Sequence, residues 1–299
     1  MLITMGLSAA TILLLFLLSN RPVAYSQGFT RKIPNTKLIP IDVRSLPSDS
    51  YYIAGIADKY VYLANMLDPL SLLKIPFNAG ETELVRIDQE GMVLTSLSSI
   101  QIDSPYFFIK DGRSGQIGSG ELNKWKVSRQ LANLPAFEQA ASISGSSAII
   151  HSLVGNESQL TNVLINTSKN QSHQPASIPI ESKGSSFYHS DGILRSDMNS
   201  NLLVYAYFYC NTYVVMDTSL NLIYKGNTID TITTPAIKIA RASNGSYTLA
   251  STPSRVNNNS FVCDAKLFVH SAVMSTAEDR SSFEGASVID VYDLANKKY

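Results

Sequence analysis

Few residues of this 299-residue chain are of types that do chemistry. Its four histidines are His151, His173, His189 and His270. His151 and His270 each close an apolar run, Ser-Ala-Ile-Ile-His and Lys-Leu-Phe-Val-His, and the two runs read as equivalent strands of a repeated unit. Imidazoles so placed could face one channel and hold a metal ion; the commoner use of the pattern is a hydrogen-bonded structural histidine. His173 lies in a polar stretch, 167–174, and reads as solvated. His189 stands near Asp191 and Arg195, and the chain is rich in serine, so a Ser/His/Asp hydrolase constellation is open to it. Spacing alone does not supply the geometry that defines one. The pair Ile-Asp recurs at 41–42, 87–88, 102–103, 229–230 and 289–290. It reads either as a ring of carboxylates around a pore, able to hold a cation, or, with better physical grounds, as aspartates that end strands and cap turns.

The remaining motifs exclude more than they assign. The glycine cluster 112–120 lacks the Lys-Ser/Thr of a phosphate loop and reads as a hairpin connection. There is no GxGxxG, GxSxG or HExxH, and no zinc-spaced Cys/His cluster. Cys210 and Cys263 sit in separate strand-like segments. They could pair in an oxidising compartment or stand as two small buried thiols. No catalytic residue, metal or cofactor is expected on these grounds. Twenty-four Lys and Arg balance 24 Asp and Glu, which leaves no basic face for nucleic acid. Sequons at 156–158 and 244–246 suggest exposed loops.

The elements that must position these residues are short. Apolar or alternating runs, separated by Gly, Asn, Asp, Ser and Pro, predict strands at 51–57, 60–65, 70–75, 83–88, 92–97, 106–110, 124–128, 147–152 and 161–165. Further strands are predicted at 202–210, 213–217, 220–224, 236–240, 246–250, 266–271 and 287–293. In 202–210, Tyr205, Tyr207 and Tyr209 share one face, and Val204, Ala206 and Phe208 share the other. Both faces are apolar or aromatic, so this strand is expected between stacked sheets. The strand groups recur at a spacing of roughly 40 to 65 residues, in the range of β-propeller blades. The turns Asp217-Thr218-Ser219-Leu220-Asn221 and Asp293-Leu294-Ala295-Asn296 share one form, a strand ending in Asp followed by Asn, expected of a blade's outer hairpin. In the second, the new strand has barely begun at Tyr299, so the ring is expected to be C-terminally incomplete.

Residues 2–18 carry no charge. The run is near the lower limit for a spanning helix and slightly long for the core of a cleaved signal. Ala24 and Ser26 offer the small residues that a signal peptidase prefers, while Arg21, Arg31, Lys32 and Lys37 follow the run, against the usual charge bias. Residues 1–26 thus read as a signal peptide or membrane anchor, 27–37 as a tether and 38–299 as the β-propeller domain. The whole is expected in the cell envelope, on its periplasmic or extracellular side.

Several stretches in order resemble the six-bladed, TolB-like β-propeller proteins of Bacteroidetes. They are Gly28-Phe29-Thr30-Arg31-Lys32, Ser50-Tyr51-Tyr52-Ile53-Ala54-Gly55, Tyr60-Val61-Tyr62-Leu63-Ala64-Asn65, Asp191-Gly192-Ile193-Leu194, Leu203-Val204-Tyr205, Asn227-Thr228-Ile229-Asp230 and Ser287-Val288-Ile289-Asp290-Val291-Tyr292-Asp293-Leu294. The resemblance implies a membrane anchor followed by six four-stranded blades. It brings no established catalytic residues. The expected function is binding or scaffolding, with a protein, peptide or glycan of the envelope held by the loops or central funnel. Arg113, Asp191 and Arg195, charged residues at or near strand starts, are the candidate ligand-binding residues. The alternatives are a hydrolase or lyase with its site in the funnel, and a structural envelope component.

Overall fold

The computed structural model describes residues 11, 24–25, 28–33, 43–78, 80–155, 157–165, 177–184, 186–241 and 247–299. Most of the apolar run 2–18, Asp42, Asn156, His173 and the whole sequon 244–246 lie outside them. Among the described residues no helix is long and apolar enough to cross a membrane.

Strands of the four-stranded sheets pair with their sequence neighbours, so each of these sheets is a local meander. Blade 1 comprises β2 (Tyr51–Ala57), β3 (Tyr60–Asn65), β4 (Ser71–Pro76) and β5 (Glu83–Arg86). Blade 2 comprises β6 (Ser99–Asp103), β7 (Tyr106–Asp111), β8 (Gln116–Glu121) and β9 (Lys126–Leu131). Blade 3 is built from β10 (Phe137–Ser144), β11 (Ser147–Val154), β12 (Glu157–Leu164) and β13 (Ser177–Pro179), and blade 4 from β14 (Gly192–Asp197), β15 (Leu202–Tyr207), β16 (Thr212–Asp217) and β17 (Leu222–Asn227). Blade 5 has three strands, β20 (Asn257–Cys263), β21 (Lys266–Ser271) and β23 (Ile289–Asp293). A small hairpin, β18 (Ile239–Arg241) with β19 (Tyr247–Leu249), precedes it in the chain, and β1 (Ala24–Tyr25) runs parallel to β22 (Val273–Met274). The first strands of neighbouring blades pack against each other: β2 on β6, β10 on β14, and β14 on β20. Over the described residues the fold is an all-β propeller of about five blades with almost no helix.

The core is divided into layers between blades, as a stack of sheets with two apolar faces requires. Side chains alternate across each second strand, and so feed both layers. In β7, Phe107 and Ile109 join the layer against blade 1, while Phe108 joins the layer against blade 3. In β15, Leu203, Tyr205 and Tyr207 face blade 3, and Val204 and Ala206 face blade 5. The two-faced reading of 202–207 is thus realised, and the strand ends at Tyr207. Gly55 marks a close approach of blades 1 and 2. Its φ is +154° and a Cβ there would lie 2.3 Å from the Ile102 carbonyl oxygen.

Three expectations need correction. Residues 92–97 form the connection between blades 1 and 2, not a strand. The Thr95 N–H and Oγ1 donate to the Asp111 carboxylate at 2.5 and 3.1 Å, and Ser98 Oγ donates to the Thr95 carbonyl at 2.6 Å. Such bonds satisfy the backbone locally and compete with a ladder. Within 112–120, the connection is confined to 112–115, and Gln116–Glu121 is the third strand of blade 2. Its Gly118 makes room for Met92, whose Sδ would lie 2.5 Å from an added Cβ. Finally, the first strands β6, β10, β14 and β20 were not foreseen as strands. The paired turns fare better. Asp217 Oδ1 accepts the Asn221 N–H at 2.8 Å and Asp293 Oδ1 accepts the Asn296 N–H at 2.8 Å, each at the end of a third strand.

Candidate functional site

The polar residues gather along the first strands. Ser-Ile-Gln-Ile-Asp in β6 is a period-two pattern: Ile100 and Ile102 are buried in the layer against blade 1. Gln101 and Asp103 then lie on the opposite side, toward blade 3. There Ser142 Oγ of β10 donates to Asp103 Oδ2 at 2.9 Å. Lys110, at the end of β7, donates to Gln101 Oε1 and to the Ala140 carbonyl of β10. Burial, with Arg195 adding repulsion, lowers its pKa to about 7, against an opposing pull from Asp103. Asp103 itself is pushed up, chiefly by burial.

One strand on, Gln139 of β10 bridges to β14. Its Nε2 donates to the Gly192 carbonyl at 2.6 Å and its Oε1 accepts the Leu194 N–H at 2.9 Å. Arg195 of β14 continues the series toward blade 5. Its Nε donates to the Ser260 carbonyl at 2.8 Å, its Nη2 to Asn259 Oδ1 at 2.9 Å, and its Nη1 to the Leu194 carbonyl at 2.8 Å. Neighbouring first strands β10 and β14, and β14 and β20, are thus joined by a side chain bonded to the next strand's backbone, while β6 and β10 are joined by the Asp103–Ser142 pair and by Lys110 from β7. Between blades 1 and 2 that part is taken by Tyr52, whose hydroxyl accepts the Ile100 N–H at 2.7 Å.

Where β10 and β14 begin, the charges are less satisfied. Asp191 immediately precedes β14 and Glu138 is the second residue of β10. Burial lifts the Asp191 carboxyl to about 7, repulsion from Glu138 adds to this, and Arg255 opposes it. The Arg255 guanidinium lies 4.3 Å from the centre of the Phe208 ring, and the neighbouring Tyr209 hydroxyl feels both Asp191 and Arg255. His151 of β11 lies beneath, 2% exposed, edge-on to Tyr205. Its Nε2 bonds Ser158 Oγ at 2.6 Å. Its Nδ1 has no hydrogen-bond partner among the described residues and lies 3.8 Å from Glu138 Oε2. Burial drops this imidazole to about 4, so it is neutral at pH 7.

Of the residues singled out from sequence, Asp191 and Arg195 fall on one strand, the first at its entrance and the second midway along it. Arg113 stands apart, exposed in the turn between β7 and β8. His151 and His270 do occupy equivalent places, each on a second strand paired across a bulge, with Gln139 and Asn259. Among the described residues no group of three His, Cys, Asp or Glu is placed to hold a metal. His189 bonds Ser186 Oγ through Nδ1 at 2.8 Å. Of the described Ile-Asp aspartates, Asp88 and Asp230 cap turns, Asp103 takes Ser142, and Asp290 pairs with Arg31. Cys210 and Cys263 are free thiols. Sequence reasoning missed Glu138, Gln139, Lys110 and Arg255. The alternation in 99–103 carried a signal for the polar side of that strand.

No family model and no curated protein matches the chain. Among solved structures it is similar to a chain of the nidogen/laminin complex at 10% identity, covering 81% of this chain and 74% of that one, with a TM-score of 0.43. It is also similar to the Cps50 (Swd1) β-propeller domain of Myceliophteria thermophila at 7% identity, covering 67% and 69%, with a TM-score of 0.38.

Proposed function

We propose that the chain is an extracytoplasmic binding or scaffold propeller that holds a peptide, glycan or protein of the cell envelope at the mouth of its channel. The observation that carries the reading is the Asp191–Glu138–His151 group. Two carboxylates and a buried, half-satisfied imidazole are brought together by three strands, with Phe208, Tyr209 and Arg255 beside them. Glu138 is 60% exposed at the surface of the group, while His151 is buried with Nδ1 unpartnered among the described residues, and an unpaired buried polar group costs stability. The uncharged run 2–18 supports export and anchoring.

Kinship with the six-bladed TolB-like group belongs to the same proposal. The face of blade 1 turned away from blade 2 carries one apolar row across all four strands, Ile53–Leu63–Leu73–Leu84. Ile53 is 70% and Leu84 61% exposed at the two ends of the row, while Leu63 and Leu73 between them are buried. Blade 5 has a matching row, Phe261–Phe268–Val291, with Phe261 61% exposed. Two apolar sheet faces at the ends of a blade series suit a further blade between them.

Capture from solubilised envelope by the wild type and by a Glu138→Gln/Asp191→Asn variant tests the binding reading. A partner or ligand retained by the first and lost by the second is expected. Identical recoveries, or none, would sink the channel mouth as the site. A second reading, a hydrolase or lyase, draws on Lys110, since an amine with a pKa near 7 can serve as base or nucleophile. Its Nζ donates both of its described hydrogen bonds into the protein, which places it in the wall and not on the surface.

A further inference from the structure

Blades 3 and 5 carry the same β-bulge where their first strands begin. In β10 the extra residue is Glu138, between Phe137 opposite Ser152 and Gln139 opposite His151. In β20 it is Asn258, between Asn257 opposite Ser271 and Asn259 opposite His270. A bulge of this kind re-aims the side chain it carries. The backbone device is shared, and a neutral amide serves it in blade 5. The carboxylate is particular to blade 3.

Around Glu138 the acceptors outnumber the donors. His151 Nδ1 lies 3.8 Å from Glu138 Oε2, too far for a hydrogen bond, and has no other partner among the described residues although the ring is only 2% exposed. The Asp191 carboxyl likewise forms no hydrogen bond or ion pair with the described residues. Tyr205 shows that the three stand together: its hydroxyl feels the charge of both carboxylates, and its ring centre lies 5.4 Å from that of His151. That hydroxyl is no donor to them, because it is spent on the Ser190 carbonyl at 2.7 Å. Arg255, whose charge bears on Asp191, is stacked 4.3 Å over Phe208 and forms no ion pair with either carboxylate among the described residues. Two carboxylates against one guanidinium leave a negative charge over, beside a buried ring nitrogen that lacks a partner.

We propose that the channel mouth receives the primary ammonium of a peptide, from a lysine side chain or a free N-terminus, between Glu138 Oε2 and His151 Nδ1, with Asp191 beside it. This deepens the binding reading given above and rests on it. Glu138 is 60% exposed, so its carboxylate is free to turn and admit the group. His151 Nε2–H donates to Ser158 Oγ, which leaves the Nδ1 lone pair for an incoming donor. An ammonium carries three donors, no acceptor and one positive charge, the complement of what the mouth lacks.

The test follows the fluorescence anisotropy of the peptide Gly-Ser-Lys-Ser-Gly, labelled with fluorescein at its C-terminus, against the full chain at pH 8, above the Asp191 titration. Three forms are compared: lysine free with the N-terminus acetylated, the reverse, and both amines acetylated. At least one single-amine form should bind about tenfold more tightly than the doubly acetylated form, and the two single-amine forms tell side chain from N-terminus. Glu138→Gln and Asp191→Asn should each remove that preference, with unfolding midpoints to show that both variants fold. Equal binding of all three forms, no binding up to about 1 mM protein, or a preference that survives in both variants would overturn the proposal. Envelope capture separates the ammonium from the site. Acetylating the amines of the solubilised envelope should abolish capture by the wild type. A partner still captured after acetylation, and still lost by the Glu138→Gln/Asp191→Asn variant, would overturn the ammonium and keep the site; no capture from either extract would lose both.

Discussion

The first and second strands of each blade lie side by side, paired residue against residue, yet they are held by different forces. β7 and β15 place large apolar side chains on both faces: Phe107, Phe108 and Ile109 are fully buried, as are Leu203 and Ala206. Burial of this kind acts through area removed from water. Their partners β6 and β14 carry Gln101, Asp103 and Arg195 into the seams between blades. A seam of hydrogen bonds contributes less net stability and more geometric definition. The propeller thus keeps its strength in the second strands and its chemistry in the first.

Truncation should separate the two most sharply. Phe107→Ala removes a ring packed 5.7 Å from Trp125 in a closed layer, and should cost about 3–5 kcal/mol in urea unfolding. Ile53→Ala on the first strand of blade 1, largely exposed, should cost less than about 1 kcal/mol. Comparable losses would erase the distinction.

The same division decides what could be read from sequence. Second strands such as 60–65 and 266–271 are continuous apolar runs, and their predicted limits match the structure. First strands read Ser-Ile-Gln-Ile-Asp or Asn-Asn-Asn-Ser-Phe-Val-Cys, and their polar members resemble loop composition. Asp191 and Arg195 were legible because charge stands out beside Gly-Ile-Leu. Glu138 and His151 meet only through the pairing of β10 with β11, which no local pattern encodes. Arg113 drew attention for the same reason as Arg195, but its turn lies outside the seams.

Lys110, like His151, is a titratable group on a second strand, and pH should expose it. Its amine sits at about 7 in the folded protein against 10.5 ordinarily. The folded state therefore holds less proton than the unfolded chain between those values. Its stabilising contribution is full above pH 10.5 and is lost as pH falls to 7, by up to roughly 4 kcal/mol. Lys110→Met should remove that slope from unfolding measured at pH 7, 8.5 and 10. A slope unchanged in the variant would mean that the amine is solvated. Within the seams, Gln139→Ala leaves the Gly192 carbonyl and the Leu194 N–H without their partner. It should cost about 1–3 kcal/mol, with little pH dependence, measured in the same way. A pH-dependent loss would tie Gln139 to the charges at the mouth.

The one stabilising change should also be the most telling, because it goes in the opposite direction. Asp191 titrates at about 7 in the folded protein, against 3.8 ordinarily, with burial as the main cause and Glu138 second. Between those pH values the folded state keeps a proton that the unfolded chain has released. The group's contribution is therefore greatest below pH 3.8 and is lost as pH rises through 7. Asp191→Asn removes the ionisation while keeping the shape. Because the carboxyl is part-exposed and solvent screens it, the variant should gain only about 1–2 kcal/mol at pH 8 and nothing near pH 3.5. Neutralisation that stabilises the fold while weakening capture of an envelope partner identifies strain kept for binding. No gain at pH 8 would place Asp191 among ordinary solvated carboxylates, and would leave the channel mouth with seams but no site.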